Sequence, residues 1–460
     1  MFFRQYDLAC LSLYSYLIGD TGTGRAVVVD PQRDISEYLA DAEANDLRIE
    51  RVIETHFHAD FLSGHLELAK ATGAVVSYGD VAEADFPIEP LAHGQRLSLG
   101  EVTLEIRHTP GHTPESISVV VRDQPDAPPW AVLTGDTLFI GDVGRPDLLT
   151  SVGRTADSLA RDLHRSLQEQ LLTLPDATLV FPAHGAGSAC GKHLSTAASS
   201  TIGEQRATNY ALRPMTDDDF VQAVTDGQGV APLYFAFAAD ANRHVHGLLD
   251  DHEPPTALTL DQALDLAGAG AVLLDTRAPE AFASGHLRGS VNVGLDGRFA
   301  EYAGDVIRPN QRVVLLDEAG RGTEAKVRLA RIGFDDVAGE VAGIEALLAE
   351  RPELATAARR LPATDVAAWI ASDPDVQVVD VRNPGETGAG ALPEARNLPL
   401  PQLLDHLEEL DPSRPTIVYC AGGYRSSVAA STLRAHGFAI VADMIGGYRA
   451  WSALTTVPAT

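Results

Sequence analysis

Cysteine, basic residues and long apolar runs are all scarce in this chain of 460 residues, and each scarcity excludes a class of protein. The three cysteines, Cys10, Cys190 and Cys420, are too few and too widely spaced for a disulfide framework. The net charge of -29 argues against nucleic acid and anionic membrane surfaces as partners, because both attract basic patches. No apolar run approaches the length of a membrane span, and the N-terminus lacks the pattern of an export signal. We therefore expect a cytoplasmic protein in which each cysteine is a free thiol.

The remaining composition is that of an ordinary globular protein with several domains. With 45% apolar and 22% charged residues, the chain has enough material for about two to four domains. Its first 240 or so residues alternate short β-branched runs with helical stretches, which predicts a layered α/β arrangement. The paired prolines of DDHEPPT (250–256) indicate a linker, and RRLPATD (359–365) indicates a second one.

The second half of the chain contains a duplicated unit. Residues 271–286 match 376–391 in kind, and residues 313–325 match 416–428. Because the two copies begin about 100 residues apart, they indicate a duplicated domain rather than a solenoid of short repeats. The sequence therefore predicts three domains, at 1–250, 256–358 and 362–460.

Within the first domain, the periodicity predicts particular elements. Residues 34–44 and 61–73 have helical patterns, and 96–108 has the period and central glycine of a hairpin. The stretch 158–174 places four leucines on one helical stripe: Leu159, Leu163, Leu167 and Leu171. Cys10 falls on a predicted edge strand, where we expect a structural role.

Metal-ligand side chains follow the predicted strands of this domain. They occur in HFHAD (56–60), TPGHTPES (109–116), LTGD (133–136) and FPAH (181–184). A lone His-x-His is weak evidence, since any one histidine can be a core residue with satisfied hydrogen bonds. Several such fragments in succession predict that side chains from separate strands converge on one metal site.

In their order, these fragments resemble the metallo-β-lactamase superfamily. HADFxSG, TPGHTPES, GDTLF and GRPD resemble its persulfide dioxygenase branch more closely. The resemblance implies an αββα sandwich with the metal on His56, His112 and Asp136. Two imidazoles and one carboxylate are the ligand set of non-haem Fe(II) oxygenases, which leaves positions open for substrate and O₂. We therefore expect one Fe(II) per chain.

Phe61 departs from the usual superfamily pattern. The resemblance implies a second-metal histidine at this position, and phenylalanine cannot bind a metal. Without that histidine, at best Asp60 and His184 are left for a second metal, so we expect a mononuclear site. His58, Asp60 and His184 then become outer residues that orient the iron ligands and donate hydrogen bonds.

Three further positions have uncertain roles. Arg145, in GDVGRPD, either fixes an anionic persulfide or its carrier, or forms a structural salt bridge. Cys190, in GSACG, is either a sulfur-accepting thiol near the iron or a buried inert cysteine. Single-domain relatives usually have PAHDY where this chain has PAHGAG, so we expect substrate handling around Ala186 to differ.

The duplicated units resemble rhodanese-like domains. The matching residues of the first unit are Asp275, Arg277, Glu280, Gly285, His286, Gly289 and Asn292, and those of the second are Asp380, Arg382, Glu386 and Asn397. In the second unit, Cys420 opens a loop containing Gly422, Gly423 and Arg425. The loop amides, the following helix N-terminus and Arg425 favour a thiolate and then a persulfide anion, so these residues form the expected sulfur-binding site. In the first unit Asp317 occupies the cysteine position, which predicts an inactive spacer or docking domain.

The combined resemblance, an α/β metallo-β-lactamase sandwich followed by two α/β rhodanese-like domains, implies a persulfide dioxygenase–rhodanese fusion of sulfide detoxification. Such a protein oxidises a low-molecular-weight persulfide to sulfite with O₂, while Cys420 exchanges sulfane sulfur among persulfide, sulfite and thiosulfate. Two alternatives stay open. A thioester hydrolase of the glyoxalase II type needs two metals, and a non-enzymatic sulfur carrier or sensor needs only Cys420. We expect these small molecules and further copies of the chain, as a homo-oligomer, to be the partners.

Overall fold

The computed structural model describes residues 1–148, 153–318 and 320–455. The chain forms two compact units: residues 1–228 with 235–249, and residues 229–234 with 250–460. None of the helices in the described ranges is long and apolar enough to cross a membrane.

The first unit is built on two six-stranded sheets. The first sheet holds β1 (Phe2–Leu8), β2 (Leu13–Asp20), β3 (Arg25–Val29), β4 (Arg48–Ile53), β5 (Val75–Gly79) and β6 (Glu89–Leu91), in that order. The second holds β12 (Ser200–Thr201), β11 (Leu179–Pro182), β10 (Ala131–Gly135), β9 (Ile117–Arg122), β8 (Thr103–His108) and β7 (Arg96–Ser98). Apolar side chains of both sheets share one core, including Val27 and Ile53 from the first and Leu104 and Val119 from the second. This is the expected sandwich.

Helices cover the outer faces of both sheets. They are α1 (Ser36–Ala44), α2 (His65–Thr72), α3 (Ala156–Ser166), α4 (Ile202–Thr208), α5 (Asp217–Thr225) and α6 (Phe235–Ala241). The predicted leucine stripe is confirmed: all four leucines are buried, and a π-helical turn at Leu167–Leu171 extends α3. The hairpin of β7 and β8 is also confirmed.

One further local prediction in this unit is confirmed with a later start, and another is wrong. The helix predicted at 61–73 begins only at His65, because the preceding residues are tied elsewhere: Gly64 N donates to Pro31 O at 2.8 Å, and Ser63 N donates to Asn242 Oδ1 at 2.9 Å. Cys10 does not lie in a strand, since β1 ends at Leu8 and Cys10 belongs to the turn before β2.

The second unit contains two parallel sheets, one for each duplicated copy. The four-stranded sheet has the order β15 (Val291–Asn292), β13 (Val272–Asp275), β16 (Val313–Asp317), β17 (Val337–Ala342). The five-stranded sheet has the order β19 (Arg359–Leu361), β23 (Val441–Met444), β22 (Thr416–Tyr419), β20 (Gln377–Asp380), β21 (Arg396–Asn397). A short antiparallel pair joins β14 (His286–Leu287) and β18 (Ala355–Thr356). The duplication predicted from the sequence thus yields two similar α/β domains.

The helices of this unit flank the two sheets. They are α7 (Leu260–Gly268), α8 (Pro279–Ser284), α9 (Phe299–Val306), α10 (Gly322–Ala330), α11 (Ile344–Glu350), α12 (Ala363–Ser372), α13 (Pro384–Thr387), α14 (Tyr424–Ala435) and α15 (Gly447–Thr455). The residues near which the second linker is predicted, 359–365, are regular structure, because they form β19 and the start of α12. Strand β19 pairs with β23, and Arg360 Nε donates to Asp443 Oδ2 at 3.1 Å across that pair.

Candidate metal centre and cysteine loop

Three predicted metal ligands converge at one edge of the sandwich. His56, His112 and Asp136 each follow a strand, namely β4, β8 and β10. One potential donor atom of each lies within 4.8 Å of the others, and all three side chains are buried. Asp136 Oδ2 lies 3.4 Å from His112 Nε2 and 3.9 Å from His56 Nε2. The structure therefore brings together the three donors that the sequence selected.

The chemistry of this group fits a metal ion. His56 Nε2 and both carboxylate oxygens of Asp136 are buried and have no hydrogen-bond partner among the described residues. Burying a polar group without a partner costs about 1–3 kcal/mol, and a bound cation would satisfy these atoms at once. Burial, followed by the charges of neighbouring histidines, holds the pKa of His56 well below its usual value. The ring is therefore neutral, which is the form that binds a metal.

Hydrogen bonds on the far side of each ring fix its orientation. His56 Nδ1 lies 3.0 Å from Thr55 Oγ1, and Thr55 Oγ1 in turn donates to Asp30 Oδ2 at 2.9 Å. His112 Nδ1 donates to the backbone carbonyl of Arg145 at 2.8 Å. These contacts place the proton of each ring on Nδ1 and leave Nε2 for the metal.

A second group of potential donors, His58, Asp60 and His184, lies beside the first. His184 Nε2 is 3.4 Å from Asp60 Oδ2 and 3.4 Å from Asp136 Oδ1. His58 is thus a third potential donor beside Asp60 and His184, the two residues that the sequence leaves for a second metal. Phe61, the position that lost its histidine, packs its ring 4.3 Å from the His58 ring.

His58 is nevertheless occupied by two buried carboxylates. Its Nε2 lies 3.1 Å from Asp30 Oδ1 and 3.4 Å from Glu54 Oε2. Burial alone would lower its pKa, but the two carboxylates raise that pKa well above the usual value. A doubly protonated imidazole has no lone pair for a metal. This geometry favours a buried cation at His58 over a donor to a second metal.

Several residues that hold this site were missed from the sequence. Hydrogen bonds from His58 and His65 outweigh burial and lower the pKa of Glu54 to about 2. Asn242 Nδ2 donates to the carbonyls of His58 and Phe61, both at 2.8 Å, and so fixes the loop that carries the ligands. Glu54 lies two residues before His56 of the HFHAD motif, so the sequence offered a signal for it. Asn242 is distant in sequence and gave no signal.

Arg145 forms a structural salt bridge, which is one of the two roles that the sequence left open for it. Its Nε and Nη2 donate to the two carboxylate oxygens of Asp147 at 2.6 and 2.8 Å, and Nη1 donates to Ala189 O at 3.2 Å. Together with the His112 contact of its carbonyl, this makes Arg145 a support of the metal site. Substrate binding by its guanidinium stays a prediction.

Cys190 lies beside the metal group. Its sulfur falls within 4.8 Å of donor atoms of Asp136 and His184, and the side chain is buried. Burial, followed by the charges of Asp60 and Asp136, raises the pKa of the thiol well above its usual value. The structure thus places Cys190 near the centre as a buried, protonated thiol, which agrees with the interpretation as a buried inert cysteine.

The sequence after His184 departs from the PAHDY of the relatives, and a neighbouring side chain constrains Gly185. The Tyr14 hydroxyl oxygen from β2 lies 2.6 Å from the position a Cβ on Gly185 would take. Gly185 directly follows His184, so any larger residue there would displace the phenol. The glycine in PAHGAG is therefore required by packing.

The Cys420 loop lies between β22 and α14. Gly423 N donates to Cys420 Sγ at 3.0 Å, and Ser426 Oγ lies 3.6 Å from the same sulfur. Gly423 has φ of 104°, a left-handed conformation that turns its amide inward. Gly422 is exposed, with no atom near the position of a Cβ. The predicted amide cradle is therefore formed by Gly423, with a hydroxyl from Ser426 that the sequence reading missed.

Arg425 is held by a carboxylate at the rim of this loop. Its Nη1 and Nη2 donate to the two oxygens of Glu386, both at 2.7 Å. Burial would raise the pKa of Glu386, but Arg425 holds it below its usual range. The fork leaves Arg425 as a fixed positive charge beside Cys420, and its contact with substrate stays a prediction.

In the first copy, Asp317 ends β16 at the position of the cysteine. Burial, followed by the nearby Glu340 carboxylate, raises the pKa of Asp317 to about 6. Gly322 occupies the place of the loop arginine, and Glu340 lies where a side chain on Gly322 would begin. This copy therefore lacks a cysteine at the first position of the loop and an arginine at the position that matches Arg425.

Comparisons with known proteins agree with this architecture. The metallo-beta-lactamase superfamily matches residues 9–184, and the rhodanese-like domain matches residues 259–349 and 362–454. The mitochondrial persulfide dioxygenase ETHE1 of Bos taurus is 31% identical over 233 residues, which cover 50% of this chain and 82% of that protein. The cytoplasmic hydroxyacylglutathione hydrolase of Arabidopsis thaliana is 33% identical over 184 residues, covering 39% of this chain and 67% of that protein.

One solved structure is similar over both units. A metallo-β-lactamase from Staphylococcus aureus subsp. aureus COL superposes with a TM-score of 0.67 at 32% identity, covering 74% of this chain and 98% of that one.

Proposed function

Because this chain belongs to the metallo-β-lactamase superfamily and carries two rhodanese-like domains, we propose that it is an Fe(II) persulfide dioxygenase coupled to a sulfurtransferase. The observation that carries the proposal is the donor set of His56, His112 and Asp136, next to a His58 whose Nε2 faces the carboxylates of Asp30 and Glu54. When bound, one Fe(II) would supply the redox chemistry between O₂ and the terminal sulfur of a low-molecular-weight persulfide.

The residues of the chain contribute orientation and electrostatics at that centre. Thr55 and the Arg145 carbonyl keep the Nε2 atoms of the two imidazoles directed toward the metal position. Phe61 is buried, packs its ring against His58 and offers no donor atom to a second metal. Cys190 lies beside the centre as a buried, protonated thiol, and its role in sulfur transfer stays a prediction.

The sulfurtransferase step is assigned to Cys420. Its thiolate attacks the outer sulfur of thiosulfate, the S–S bond breaks, and sulfite leaves with the bonding electron pair. The resulting persulfide is held by Gly423 N and Ser426 Oγ, with Arg425 nearby as a counter-charge. An acceptor thiolate then takes the outer sulfur and regenerates Cys420. The reverse direction, with sulfite as acceptor, produces thiosulfate from sulfite made at the iron.

A thioester hydrolase of the glyoxalase II type is the second candidate. It is favoured by the similarity to hydroxyacylglutathione hydrolase and by Asp136, whose carboxylate lies between both donor groups. This function needs two metals to generate hydroxide, and therefore needs a neutral His58. The electrostatics of His58 support the dioxygenase instead.

Metal analysis combined with an oxygen electrode separates the candidates. The dioxygenase predicts one iron per chain and O₂ uptake that depends on a persulfide such as glutathione persulfide. Two metals with thioester hydrolysis and no O₂ uptake would establish the hydrolase. A protein without metal that still forms a persulfide on Cys420 would be a sulfur carrier.

We also propose a cytoplasmic location, supported by the scarcity of cysteine, and the homo-oligomer stays a prediction.

A further inference from the structure

The helix that follows Cys420 is held at its first residue by the inactive domain. Tyr424 directly follows Gly423, whose amide contacts the sulfur, and it begins α14. The Tyr424 hydroxyl donates to the carbonyl of Gly294 at 2.5 Å, and its ring packs against Tyr302 with the ring centres 5.2 Å apart. Gly294 and Tyr302 both belong to the first rhodanese-like domain. The active loop therefore has an anchor outside its own domain.

The same helix is held again two turns later. Ser431 Oγ accepts a hydrogen bond from the backbone N of Asn292 at 2.9 Å, and both residues are buried. Asn292 is itself fixed, because its Nδ2 donates to the carbonyls of Asp275 and Arg277 at 2.9 and 2.8 Å. The motif residues that persist in the inactive domain thus support a contact with the helix of the active one.

The Tyr424 ring also borders a cavity of about 320 Å³ that is lined otherwise by the first domain, including Pro279, Leu295 and Arg321. The hydroxyl bond to Gly294 and the ring contact with Tyr302 therefore tie the start of α14, and with it Gly423, to the first domain.

From these contacts we propose that the first rhodanese-like domain, having lost its own nucleophile, is a positioning surface for the Cys420 loop, with Tyr424 as the positioning residue. The inference rests on the proposed sulfurtransferase step at Cys420. Its physical basis is that the Gly423 amide stabilises the thiolate only while it stays within hydrogen-bond distance of the sulfur, now 3.0 Å. Loosening Tyr424 would let this donor move, and the thiol would then ionise less readily.

The test is Tyr424→Phe in the full chain, which removes one hydroxyl and keeps the ring. Its matched control is Tyr448→Phe, whose hydroxyl also donates to a backbone carbonyl, that of Ala389 at 2.8 Å, but within the second domain. The readout is the rate of Cys420 alkylation by iodoacetamide as a function of pH, followed by mass spectrometry of the Cys420 peptide. This readout reports thiolate formation and does not require turnover.

We expect the alkylation midpoint of Tyr424→Phe to move to higher pH, so that alkylation near neutral pH slows several-fold while the high-pH plateau stays at the wild-type value. Tyr448→Phe should follow the wild-type profile. Tyr302→Leu removes the ring contact that the first rhodanese-like domain makes with Tyr424, and it should shift the alkylation midpoint in the same direction. Unchanged midpoints in both Tyr424→Phe and Tyr302→Leu, or an equal shift in Tyr448→Phe, would overturn the proposal.

A separate measurement distinguishes this inference from the function on which it rests. Thiosulfate:thiol transfer by the wild-type chain tests the sulfurtransferase itself. If the wild-type chain transfers no sulfur while Tyr424→Phe still shifts the alkylation midpoint, the positioning is correct and the assigned reaction is wrong. If the wild-type chain and Tyr424→Phe transfer sulfur equally well and their alkylation midpoints agree, the assigned reaction is correct and the positioning is wrong.

Discussion

In both rhodanese-like domains, an asparagine side chain donates to two backbone carbonyls at the end of a parallel strand. Asn397 bonds to the carbonyls of Asp380 and Arg382 at 3.0 and 2.8 Å, and Asn292 makes the corresponding bonds in the first domain at 2.9 and 2.8 Å. The arginine of each domain also forms a buried fork with the aspartate two residues before it. These motif residues therefore build the framework in both copies.

The loops that follow β16 and β22 differ at each position that matters for chemistry. Cys420 with Gly423 N forms a cradle for an anion on sulfur, whereas Asp317 already carries a carboxylate in the matching place. Arg425 lies beside the cysteine, whereas Gly322 leaves room for Glu340. The two copies therefore share the residues that build the rhodanese-like fold and differ in the loop residues to which we assign sulfur transfer.

The largest expected effect is the loss of transfer in Cys420→Ser. Serine fits the same loop, but its hydroxyl is hardly ionised near neutral pH and cannot form a persulfide, so thiosulfate:thiol transfer should vanish. Oxygen uptake with a small persulfide should stay within a few-fold of wild type, a change of less than about 1 kcal/mol. Sulfite should accumulate in the variant where the wild type forms thiosulfate, as measured by quantifying both products.

Cys10→Ser is the matched control, because Cys10 lies in the turn after β1 and outside both sites. It should retain transfer and O₂ uptake. If Cys420→Ser loses O₂ uptake as completely as it loses transfer, sulfur reaches the metal through Cys420 and the two sites are not independent.

The metal centre provides the second test, since it should be untouched by changes in either rhodanese-like domain. His112→Ala removes one of three donors and should lose the single iron, with persulfide-dependent O₂ uptake falling to background. Thiosulfate:thiol transfer should persist. The iron content is measured by inductively coupled plasma mass spectrometry, with His252→Ala, at an exposed histidine, as the control that keeps its iron. Two bound zincs in protein made with iron present would contradict the mononuclear assignment.

The third test restores a thiol in the first rhodanese-like domain, at the position that matches Cys420. Asp317→Cys in the Cys420→Ser background should show no transfer, because the first domain has Gly322 and the Glu340 carboxylate where Arg425 supports the active loop. The sulfur would lie beside a negative charge, which disfavours a thiolate. Measurable thiosulfate:thiol transfer by this double variant would show that the cysteine alone separates the copies.

The smallest expected effect concerns pH and stability. The folded-state pKa of Asp317 is raised from 3.8 to about 6, so the folded chain holds this proton more tightly than the unfolded chain. Stability from this group is complete below pH 4 and is lost as the pH rises through 6. Asp317→Asn cannot ionise, and its first rhodanese-like domain should be more stable than wild type at pH 8 by about 1–2 kcal/mol, with little difference at pH 4. Thermal midpoints at both pH values measure this, and an equal difference at both would contradict the assigned pKa.

The strand-end ligands show how far sequence reasoning reaches. His56, His112 and Asp136 were identified because metal-ligand side chains followed predicted strands in a familiar order, and the structure brings them together. The leucine stripe of α3 was identified because period and burial coincide on a helix facing a core. Both signals are local or tied to a resemblance, and neither depends on knowing which distant residues are neighbours.

The predictions that differ from the structure depend on contacts between residues that are distant in sequence. The helix expected at 61–73 starts late because its first residues bond to Pro31 and Asn242, which lie far away in sequence. Residues 359–361 of the predicted linker form strand β19 because β23, about 80 residues later, pairs with them. A contact of this kind overrides local propensity, since burial and hydrogen bonding of a whole segment outweigh the small preference of each residue.

The sequence by itself determined the order of domains, the chemical types at each site and the loss of the cysteine in the first copy, because residue identity and local spacing specify these. Only the tertiary structure decided that His58 is enclosed by two carboxylates, that Arg145 is paired with Asp147, and that Tyr424 bonds across to Gly294. Charge state and positioning depend on which groups meet in a water-excluded interior, where each neighbour acts with far less screening than in solvent. Which groups meet there is set by the packing of elements distant in the chain, and no local pattern encodes it.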